Sequence, residues 1–459
     1  MESDDAAGRF AGLVERIVEG AVTVLDRKGL AVADAGLRKR LAGTPGIAVK
    51  GERAHFAPER TGDFLESYCA GREYRPASGF SVGATAHAHH IVDLDGASRP
   101  ITLGDIEEGA RLADALRGHG IVGGAPGIPQ DVPPPLQGIA QFVASAKWSR
   151  ACPAYALRAL PEAEEYIAEC CRILGVPYAI GVHVVSPLRL EGQEVDCALH
   201  MLRRLPDAPV GIGTMPILGM TAPATIPGGF VLALAEVLGA GMVFQATGAA
   251  NLSLCVNVYP IDMRTATFVY GTPSNIAINL LEIEVNKRLK TEIQSKSFKT
   301  MSQQPDQQAA AQKAFFTGYM ASRGKRSFTG AGSLSLDELY SPVQLVIDCE
   351  LLGVAKRTAE MAESCLGQAD LLVDAVLENA GGSFMTEPTT LARFRDLQWD
   401  SALFSSRMFQ QWLAAGSPRC FEAARERARE LARDHVWTLD PGKSAALDAV
   451  YRRARRTLG

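Results

Sequence analysis

Apolar residues recur at helical spacing twice within residues 1–120, and the elements between these stretches are short and polar. The periodic stretches 10–18 and 106–116 each place their apolar side chains on one face, which predicts two amphipathic helices. Residues 81–99 are polar, contain glycine and are rich in histidine. We interpret residues 1–120 as an N-terminal cap of helices and small hairpins.

The pattern of apolar positions changes from residue 121 to residue 390, where short apolar stretches alternate with longer stretches of helical periodicity. This alternation is typical of βαβ units and a parallel sheet. Helix ends are also recognisable, because Asp306 can cap a helix whose C-terminal stop is Gly324. The candidate strands are 121–124, 154–158, 178–185, 210–215, 253–258, 293–295, 326–329 and 383–386.

Eight strands would close a barrel whose active site lies in the loops after the strands' C-terminal ends. The predicted fold class is therefore α/β, a (β/α)8 TIM barrel over 121–390 with a C-terminal helical extension over 391–459. The extension has one apolar face, which we expect to pack on the barrel or on a neighbouring subunit of a homo-oligomer. A doubly wound open sheet is the alternative. It is disfavoured because no GxGxxG or P-loop follows the first strand.

Composition narrows the class of protein. The hydrophobic fraction of 47% and charged fraction of 21% fit a folded enzyme, and a net charge of −4 gives no reason to expect nucleic-acid binding. The nine cysteines include no CxxC pair. Their odd number, and an acidic N-terminus unlike a secretion signal, predict a cytoplasmic protein. No apolar run is expected to approach the ~18 residues that span a bilayer, so we expect no membrane association.

Residues 219–229 form the most unusual stretch, rich in small residues and prolines, between a predicted strand and a strongly apolar helix. Small residues let the backbone approach a ligand closely, and the N–H groups at a helix start favour a negative or polar ligand atom. A tight barrel turn that needs small residues for space is the alternative interpretation. Thr221, Pro223 and Thr225 are the candidate binding residues of this loop.

Further candidates follow the other predicted strands and would converge on the same mouth of a barrel. Asp131 lies between prolines, where it could orient a ligand or cap the next helix, and Gly330 and Gly332 permit close backbone approach. The remaining candidates are Gln130, Lys147, Trp148, Asn257, Tyr259, Asp262 and Lys296.

The run His87–His90 raises the possibility of a metal site. A metal site needs further ligands and a second shell, and the neighbouring chain offers only Thr85 and Asp93. We therefore favour a polar surface hairpin and expect no metal. The sequence contains no HExxH, GxSxG or deaminase-type motif, so hydrolase and zinc-deaminase functions lack support.

Several of these motifs, in this order, resemble the trimethylamine–corrinoid methyltransferase family, in particular its branch without pyrrolysine that includes glycine betaine methyltransferase. The resemblance covers roughly residues 95–435, and its shared order is more specific than any single motif. Its most distinctive part is Thr221–Thr225, followed by Gly229 and Ala235-Glu236. The other matching positions are Arg99-Pro100, Thr102, Asp105, Gln130–Pro133, Lys147, Asp262–Arg264, Ser295-Lys296, Gly330–Gly332, Asp348, Glu350 and Trp399.

The resemblance implies a TIM barrel that holds a methylated amine at its mouth and passes a methyl group to the Co(I) corrinoid of a separate protein. The enzyme would position the methyl group and exclude water, without a tightly bound cofactor of its own. On this basis Asp131, Thr221 and Gly330 are the catalytic candidates. Aromatic rings suit a cationic amine, and those near the expected loops are Trp148, Tyr155, Tyr259, Tyr270 and Phe328. A substrate carboxylate would be expected to contact Arg264, Lys296 or Arg326.

Two departures from the family pattern bear on the donor. The classical trimethylamine enzyme has pyrrolysine near the late glycine loop, whereas residues 326–334 here are standard residues, so trimethylamine is not the expected donor. Thr389-Thr390-Leu391 stands where relatives tend to have His-Thr-Leu, which leaves glycine betaine open as well. The alternatives are a sulfonium or N-methyl heterocycle donor, and a non-catalytic barrel that binds a small molecule.

Overall fold

A computed structural model describes residues 2–151, 160–368 and 371–459. The strands are β1 Leu30–Val32, β2 Ile47–Lys50, β3 Arg53–Phe56, β4 Ser81–Ala84, β5 His90–Val92, β6 Ser98–Pro100, β7 Ile121–Val122, β8 Ile180–Val184, β9 Arg189–Leu190, β10 Val210–Thr214, β11 Leu252–Leu254, β12 Ile261–Asp262, β13 Thr267–Phe268, β14 Ser327–Ala331, β15 Ser333–Leu334 and β16 Leu339–Tyr340.

The helices are α1 Glu2–Arg27, α2 Ala35–Leu41, α3 Pro58–Cys69, α4 Leu103–Ala115, α5 Pro134–Trp148, α6 Pro161–Leu174, α7 Gln193–Arg204, α8 Ile226–Ala246, α9 Pro273–Arg288, α10 Gln307–Ser322, α11 Pro342–Leu366, α12 Val373–Asn379, α13 Pro388–Arg393, α14 Phe409–Ala414, α15 Cys420–Arg433 and α16 Pro441–Leu458. Short 3₁₀ turns span Arg117–His119 and Phe394–Leu397.

Parallel strands followed by helices form an α/β barrel of the TIM type, as predicted. β4 pairs in parallel with both β14 and β7, so the sheet joins the last strand to the first. β10 likewise pairs in parallel with β8 and β11, and Ser295 forms a parallel bridge to Phe328 in β14. Helices α4 to α11 alternate with these strands. The predicted strand 154–158 lies outside the described residues.

Two parts of the strand assignment are wrong. Residues 81–84, which we placed in the cap, form a barrel strand. The strand was missed because only Val82 and Ala84 pack in the apolar core, with Ser81 and Gly83 alternating with them, so the sequence shows no apolar run. Residues 383–386 are exposed turns, not a strand; two glycines precede them and Pro388 follows. The division at residues 120 and 390 stays a prediction, although the parallel sheet begins before residue 121.

Helix α8 packs against α1 on one side and against the barrel on the other. It is long and apolar enough to cross a membrane by length and composition, and 78% of its most apolar window is buried inside the protein. The expectation that no apolar run approaches this length is therefore wrong. Because α1 covers the outer side of α8, the helix lacks a polar face, and Glu236 is its one acidic or basic residue.

The end of the chain returns to the barrel. α15 packs on α4 and α11, and α16 packs on α5 and α6. The buried residues Leu447, Val450 and Ala454 of α16 join a core cluster with α5 and α6. α15 buries Ala424 and Ala428 in the cluster that surrounds β14. Small residues on α15 thus let it lie close to the barrel helices.

Candidate functional site

Two lysines stand at the mouth of the barrel, each paired with a carboxylate. Ser295 continues the sheet beside β14, and Lys296 and Lys299 follow it directly, so both leave the sheet at the C-terminal ends of the strands. Lys296 Nζ lies 2.7 Å from Glu282 Oε1 of α9. Lys299 Nζ pairs with Asp337 in the turn between β15 and β16. We call these four residues the lysine cluster.

Tyrosine rings lie against both ammonium groups. Lys296 Nζ is 4.4 Å from the ring centroid of Tyr259, and Lys299 Nζ is 5.0 Å from that of Tyr270. The two rings meet edge to face with centroids 6.3 Å apart, and Phe268 packs 5.6 Å from Tyr259. The hairpin of β12 and β13 supplies Phe268 and leads into Tyr270. The mouth therefore holds an aromatic wall whose faces already contact cations.

The charges of this site follow from burial and pairing. Burial alone would lower the pKa of Lys296, but the Glu282 carboxylate outweighs burial and raises that pKa above its usual value. The ammonium group therefore stays charged. Burial raises the pKa of Tyr270 well above its usual value, so this phenol stays neutral. The lysine cluster thus presents two positive and two negative groups that a charged ligand can rearrange.

His87 and His183 belong to the same mouth. Burial lowers the pKa of His87, and its charge state is further influenced by Asp337, Lys299 and His183. The imidazole is therefore neutral at pH 7 and able to accept a hydrogen bond. His183 of β8 pairs with Glu194, with 3.0 Å between Nδ1 and Oε2. Sequence analysis did not place His87 at the mouth because the preceding strand β4 was assigned to the cap, and it did not single out His183 although the strand 178–185 was predicted.

The structure brings Tyr259, Tyr270 and Lys296 together at the mouth, and Asn257 follows β11 at the same end of the sheet, where its Nδ2 donates to Cys255 Sγ at 3.5 Å. Gly330 lies beside them, with a φ of 104°, and a Cβ there would stand 2.6 Å from Lys299 Cγ. Glycine is therefore required where β14 meets the lysine-bearing segment. The predictions that assign these five residues to catalysis or substrate binding stay predictions.

The neighbouring Gly332 is held by a fully buried ion pair. Its N–H donates to Asp348 Oδ2 at 2.8 Å, and the same oxygen lies 2.7 Å from Lys313 Nζ. Lys313 also donates to the Ser333 carbonyl oxygen at 2.8 Å. A Cβ on Gly332, whose φ is 77°, would lie 2.8 Å from the Tyr340 ring. This pair fixes the backbone that leads to Asp337.

The loop between β10 and α8 also lies at the mouth. Thr221 Oγ1 accepts a hydrogen bond from the Ile217 N–H at 2.8 Å, which closes the loop on itself. Pro223 and Thr225 are exposed at the start of α8. A Cβ on Gly229 would lie 2.4 Å from Leu218, so small residues serve the turn here. A role for this loop in ligand binding stays a prediction.

The predicted residues Gln130 and Asp131 lie at the rim, where their side chains contact protein. Asp131 accepts a hydrogen bond at 2.8 Å from the Leu103 N–H in the first turn of α4, whose N-cap residue is Thr102. Gln130 Nε2 donates to the Ile128 carbonyl oxygen at 2.8 Å and lies 3.1 Å from His89 Nδ1. The alternative prediction, that Asp131 caps the helix that follows it, is wrong: Asp131 contacts the preceding helix α4, and the N-cap of α5 is Pro133 without a side-chain cap.

Four predicted residues do not join the lysine cluster, which corrects their expected position. Lys147 and Trp148 end α5, and a barrel helix ends at the face opposite the mouth. There Lys147 pairs with Asp448 at 3.0 Å, and the Arg111 guanidinium stacks on the Trp148 ring. Arg264 is 89% exposed at the tip of the β12–β13 hairpin. Phe328 faces the helices, because strand side chains alternate, and is fully buried.

The run His87–His90 does not converge on one point. His90 pairs with β16 in a small sheet, whereas His89 faces Gln130 and His87 faces the mouth. Within residues 2–151, 160–368 and 371–459, no group of three or more histidine, cysteine or acidic side chains could hold a metal ion. Tyr155, an aromatic candidate, lies outside the described residues.

Comparison with known proteins places the chain in a family of methyltransferases. A family model described as trimethylamine methyltransferase (MTTB) matches residues 11–459. Trimethylamine methyltransferase MttB of Methanosarcina barkeri is 25% identical over 232 residues, which cover 50% of this chain and 46% of that protein. The MttB of Desulfitobacterium hafniense is 26% identical over 273 residues, which cover 59% and 54%. A glycine betaine methyltransferase of Desulfitobacterium hafniense is 26% identical over 195 residues, or 40% of each chain.

These alignments have a limited extent. The chain spans about half the length of the curated relatives it matches. Among solved structures, the monomethylamine methyltransferase MtmB of Methanosarcina barkeri gives a TM-score of 0.46 at 14% identity. That alignment covers 92% of this chain and 88% of that one.

Proposed function

The chain belongs to the trimethylamine methyltransferase family, and from this premise we propose that it transfers a methyl group from a methylated amine to a corrinoid presented by a separate protein. The observation that supports the proposal most is the family match, which runs over residues 11–459. The lysine cluster and its tyrosines supply a charged, partly enclosed site at the mouth of the barrel, where barrel enzymes carry their active sites.

The chemistry asks little of the protein's side chains. The carbon–nitrogen bond breaks with its electron pair left on the nitrogen, and the methyl carbon bonds to an electron pair of the acceptor. A reduced corrinoid supplies that pair. A quaternary nitrogen already carries the charge that makes it a leaving group, so no proton donor is needed. The barrel's task is to hold the methyl carbon towards the opening and keep water out.

We further propose that the donor is betaine-like, with a carboxylate beside its quaternary nitrogen. Three basic residues were candidates for that carboxylate, and they are differently placed. Arg264 pairs with Asp262 at the exposed hairpin tip, and Arg326 donates to the Ala321 carbonyl oxygen at the beginning of β14. Lys296 alone of the three belongs to the lysine cluster, so a donor carboxylate would compete with Glu282 for its ammonium group.

The rim of the mouth suits a broad apolar partner group. Val185, Met215, Met220 and Met263 expose between 37% and 70% of their surface. These residues follow β8 and β10 or lie in the adjoining turns, and Met263 Sδ approaches the loop at Gly219. Flexible methionine side chains adapt to large apolar surfaces. These residues would contact the corrinoid ring, and the lysine cluster below them would hold the donor.

We propose a cytoplasmic location as well. Six cysteines within the described residues are free thiols, namely Cys69, Cys170, Cys255, Cys349, Cys365 and Cys420. Free cysteines in this number are typical of proteins kept in a reducing compartment.

A donor comparison tests the proposed function. The protein is mixed with cob(I)alamin and, separately, glycine betaine, trimethylamine, tetramethylammonium or a carboxylated sulfonium, and methylcobalamin is followed by absorbance. We expect the fastest transfer with a carboxylated quaternary amine. Transfer from the sulfonium alone would replace the amine assignment, and binding without any transfer would favour a non-catalytic barrel.

A lysine substitution tests the role of Lys296. Lys296→Met should raise the KM for a carboxylated donor about tenfold or more, because a charge-assisted hydrogen bond is lost. The same variant should change the KM for tetramethylammonium much less. Lys356→Met, at an exposed position of α11, is the matched control. Equal effects on both donors would contradict the assignment of a carboxylate to Lys296.

A further inference from the structure

A cleft separate from the lysine cluster combines an apolar floor with acidic walls. It lies between the β5–β6 hairpin, α4, α15 and the link from β16 to α11, and its volume is about 230 Å³. The described residues that line it are all distinct from the lysine cluster. Pockets for drug-sized ligands measure about 300–1,000 Å³, so this cleft suits a smaller molecule. We call it the α4 cleft.

The floor of the α4 cleft is apolar. Ile91 of β5 and Leu112 of α4 are buried there, and Pro342 contributes the start of α11. Ala428 and Ala432 lie four residues apart, on one face of α15. Because both alanine side chains are small, α15 leaves space beside α4 at this level. The apolar body of a ligand would be removed from water on this floor.

Tyr340 brings to the cleft a hydroxyl group that has no partner in the protein. Its side chain is 1% exposed, and the hydroxyl forms no hydrogen bond within the described residues. The charges of Asp105 and Glu108, which both line the cleft, raise the pKa of the phenol beyond the effect of burial. The hydroxyl therefore faces the cleft, while one edge of the ring packs on Gly332. Buried polar groups are normally hydrogen-bonded, so this hydroxyl points to a ligand.

Three of the carboxylates that line the cleft already have partners. Asp105 accepts two hydrogen bonds from the Arg99 guanidinium, at 2.7 and 2.8 Å. Asp95 pairs with Arg429 at 2.9 Å. Asp93 accepts two hydrogen bonds from backbone N–H groups of its own turn. These carboxylates hold the walls together and add negative charge to the cleft.

Glu108 is the carboxylate that stays uncommitted. It is exposed, and within the described part of the chain its side chain forms neither an ion pair nor a hydrogen bond. It stands at the opening of the cleft, whereas the Tyr340 hydroxyl lies at the floor. The lining residues carry four carboxylates and one guanidinium, so the cleft favours a cation. A primary ammonium group has three N–H donors and can serve both oxygen acceptors.

We propose that the α4 cleft binds a small primary amine, whose ammonium group donates to the Tyr340 hydroxyl oxygen and the Glu108 carboxylate. The apolar body of the amine lies on the floor. A quaternary amine has no N–H group and cannot form these hydrogen bonds. The ligand of the α4 cleft therefore differs in kind from the proposed methyl donor, and its binding does not depend on methyl transfer.

Calorimetric titration of the full-length protein with benzylamine tests this site. We expect saturable binding with a Kd on the order of 0.1–1 mM. Benzyl alcohol, which has a similar shape but no charge, should bind at least about tenfold more weakly. Tyr340→Phe and Glu108→Gln should each weaken benzylamine binding about tenfold, because each removes one acceptor of the ammonium group. Tyr319→Phe on α10 and Glu107→Gln on α4, both outside the cleft, are the matched controls and should leave the affinity unchanged.

Several results would overturn the proposal. They are the absence of saturable binding, equal affinity for benzyl alcohol, and unchanged affinity for benzylamine in either variant of the cleft. Tyr340→Phe should fold, because it removes a buried hydroxyl that has no partner. If a variant of the cleft does not fold, a crystal structure of the wild type with benzylamine decides. An ammonium nitrogen within hydrogen-bond distance of Tyr340 Oη would support the site, and a water molecule there without the amine would overturn it.

Discussion

The ion pair of Lys313 and Asp348 offers a sharp test of how the late glycine loop is held. Both side chains are fully buried, 2.7 Å apart. Asp348 also accepts hydrogen bonds from the Gly332 N–H at 2.8 Å and from Gln344 Nε2 at 2.7 Å. Lys313→Met keeps the side-chain volume but removes the ammonium group, so the carboxylate is left buried without its cation.

The expected loss can be worked out from these contacts. Removing one partner of a buried pair typically destabilises a protein by about 3–5 kcal/mol. Two hydrogen bonds to Asp348 remain in the variant, so we expect the lower end, about 3 kcal/mol. Replacing both residues, as Lys313→Met/Asp348→Leu, removes the unpaired charge and should recover most of the loss.

Stability should also change with pH in a defined direction. Burial already raises the pKa of Asp348, and loss of Lys313 would raise it further. A carboxyl whose folded pKa is raised is penalised above its unfolded pKa, near 3.9, and the penalty grows until the pH exceeds the folded pKa. The deficit of Lys313→Met should therefore be larger at pH 8 than at pH 5.

Guanidinium unfolding of the wild type, Lys313→Met and the double variant at both pH values measures these differences. A single variant as stable as the wild type, or a double variant less stable than the single one, would refute the reasoning. Tryptophan fluorescence and circular dichroism should give coincident transitions if unfolding is two-state.

Three further predictions concern acid stability, the loops and metals. Burial alone would raise the pKa of Asp114, but hydrogen bonds from Arg150 and His435 outweigh burial and lower it, so the stabilisation from Asp114 is present above about pH 4 and lost as the pH falls through its folded pKa. Asp114→Asn should therefore cost about 2 kcal/mol at pH 7, measured by thermal unfolding. A stability difference that stays constant down to pH 2 would contradict this. Asp131→Ala and Thr221→Ala should lower methyl transfer with at most about 1 kcal/mol of stability lost, and unchanged transfer in both would remove them from the site. Activity should survive exhaustive chelation; a loss that zinc restores would point to a metal site.

Local sequence patterns predicted the barrel because the strand and the helix of each βα unit have their own apolar periodicity and end signals. Asp306 caps α10 as expected, accepting a hydrogen bond from the Ala309 N–H, and Gly324 follows the helix end. Strand 210–215 is found within one residue as β10. β4 was missed because a short strand that faces the barrel interior with Ser81 and Gly83 has no apolar run to reveal it.

The candidate site was predicted only in part, because it depends on contacts between distant residues. Tyr259, Tyr270 and Lys296 were proposed from loop position and do meet at the mouth. Their partners Glu282 and Asp337 were missed, since each lies in a helix or turn with no motif of its own. Lys147 and Trp148 were misplaced because they were assigned to a loop at the mouth, whereas they form the last turn of α5, at the opposite face.

Transfer of a labelled methyl group tests the central claim most directly. The protein, cob(I)alamin and glycine betaine carrying ¹³C in its N-methyl groups are incubated anaerobically, and the corrinoid is recovered for NMR and mass spectrometry. The account predicts labelled methylcobalamin and an equal amount of the demethylated amine. An unlabelled corrinoid with glycine betaine, and likewise with every other labelled methylated amine, would contradict it.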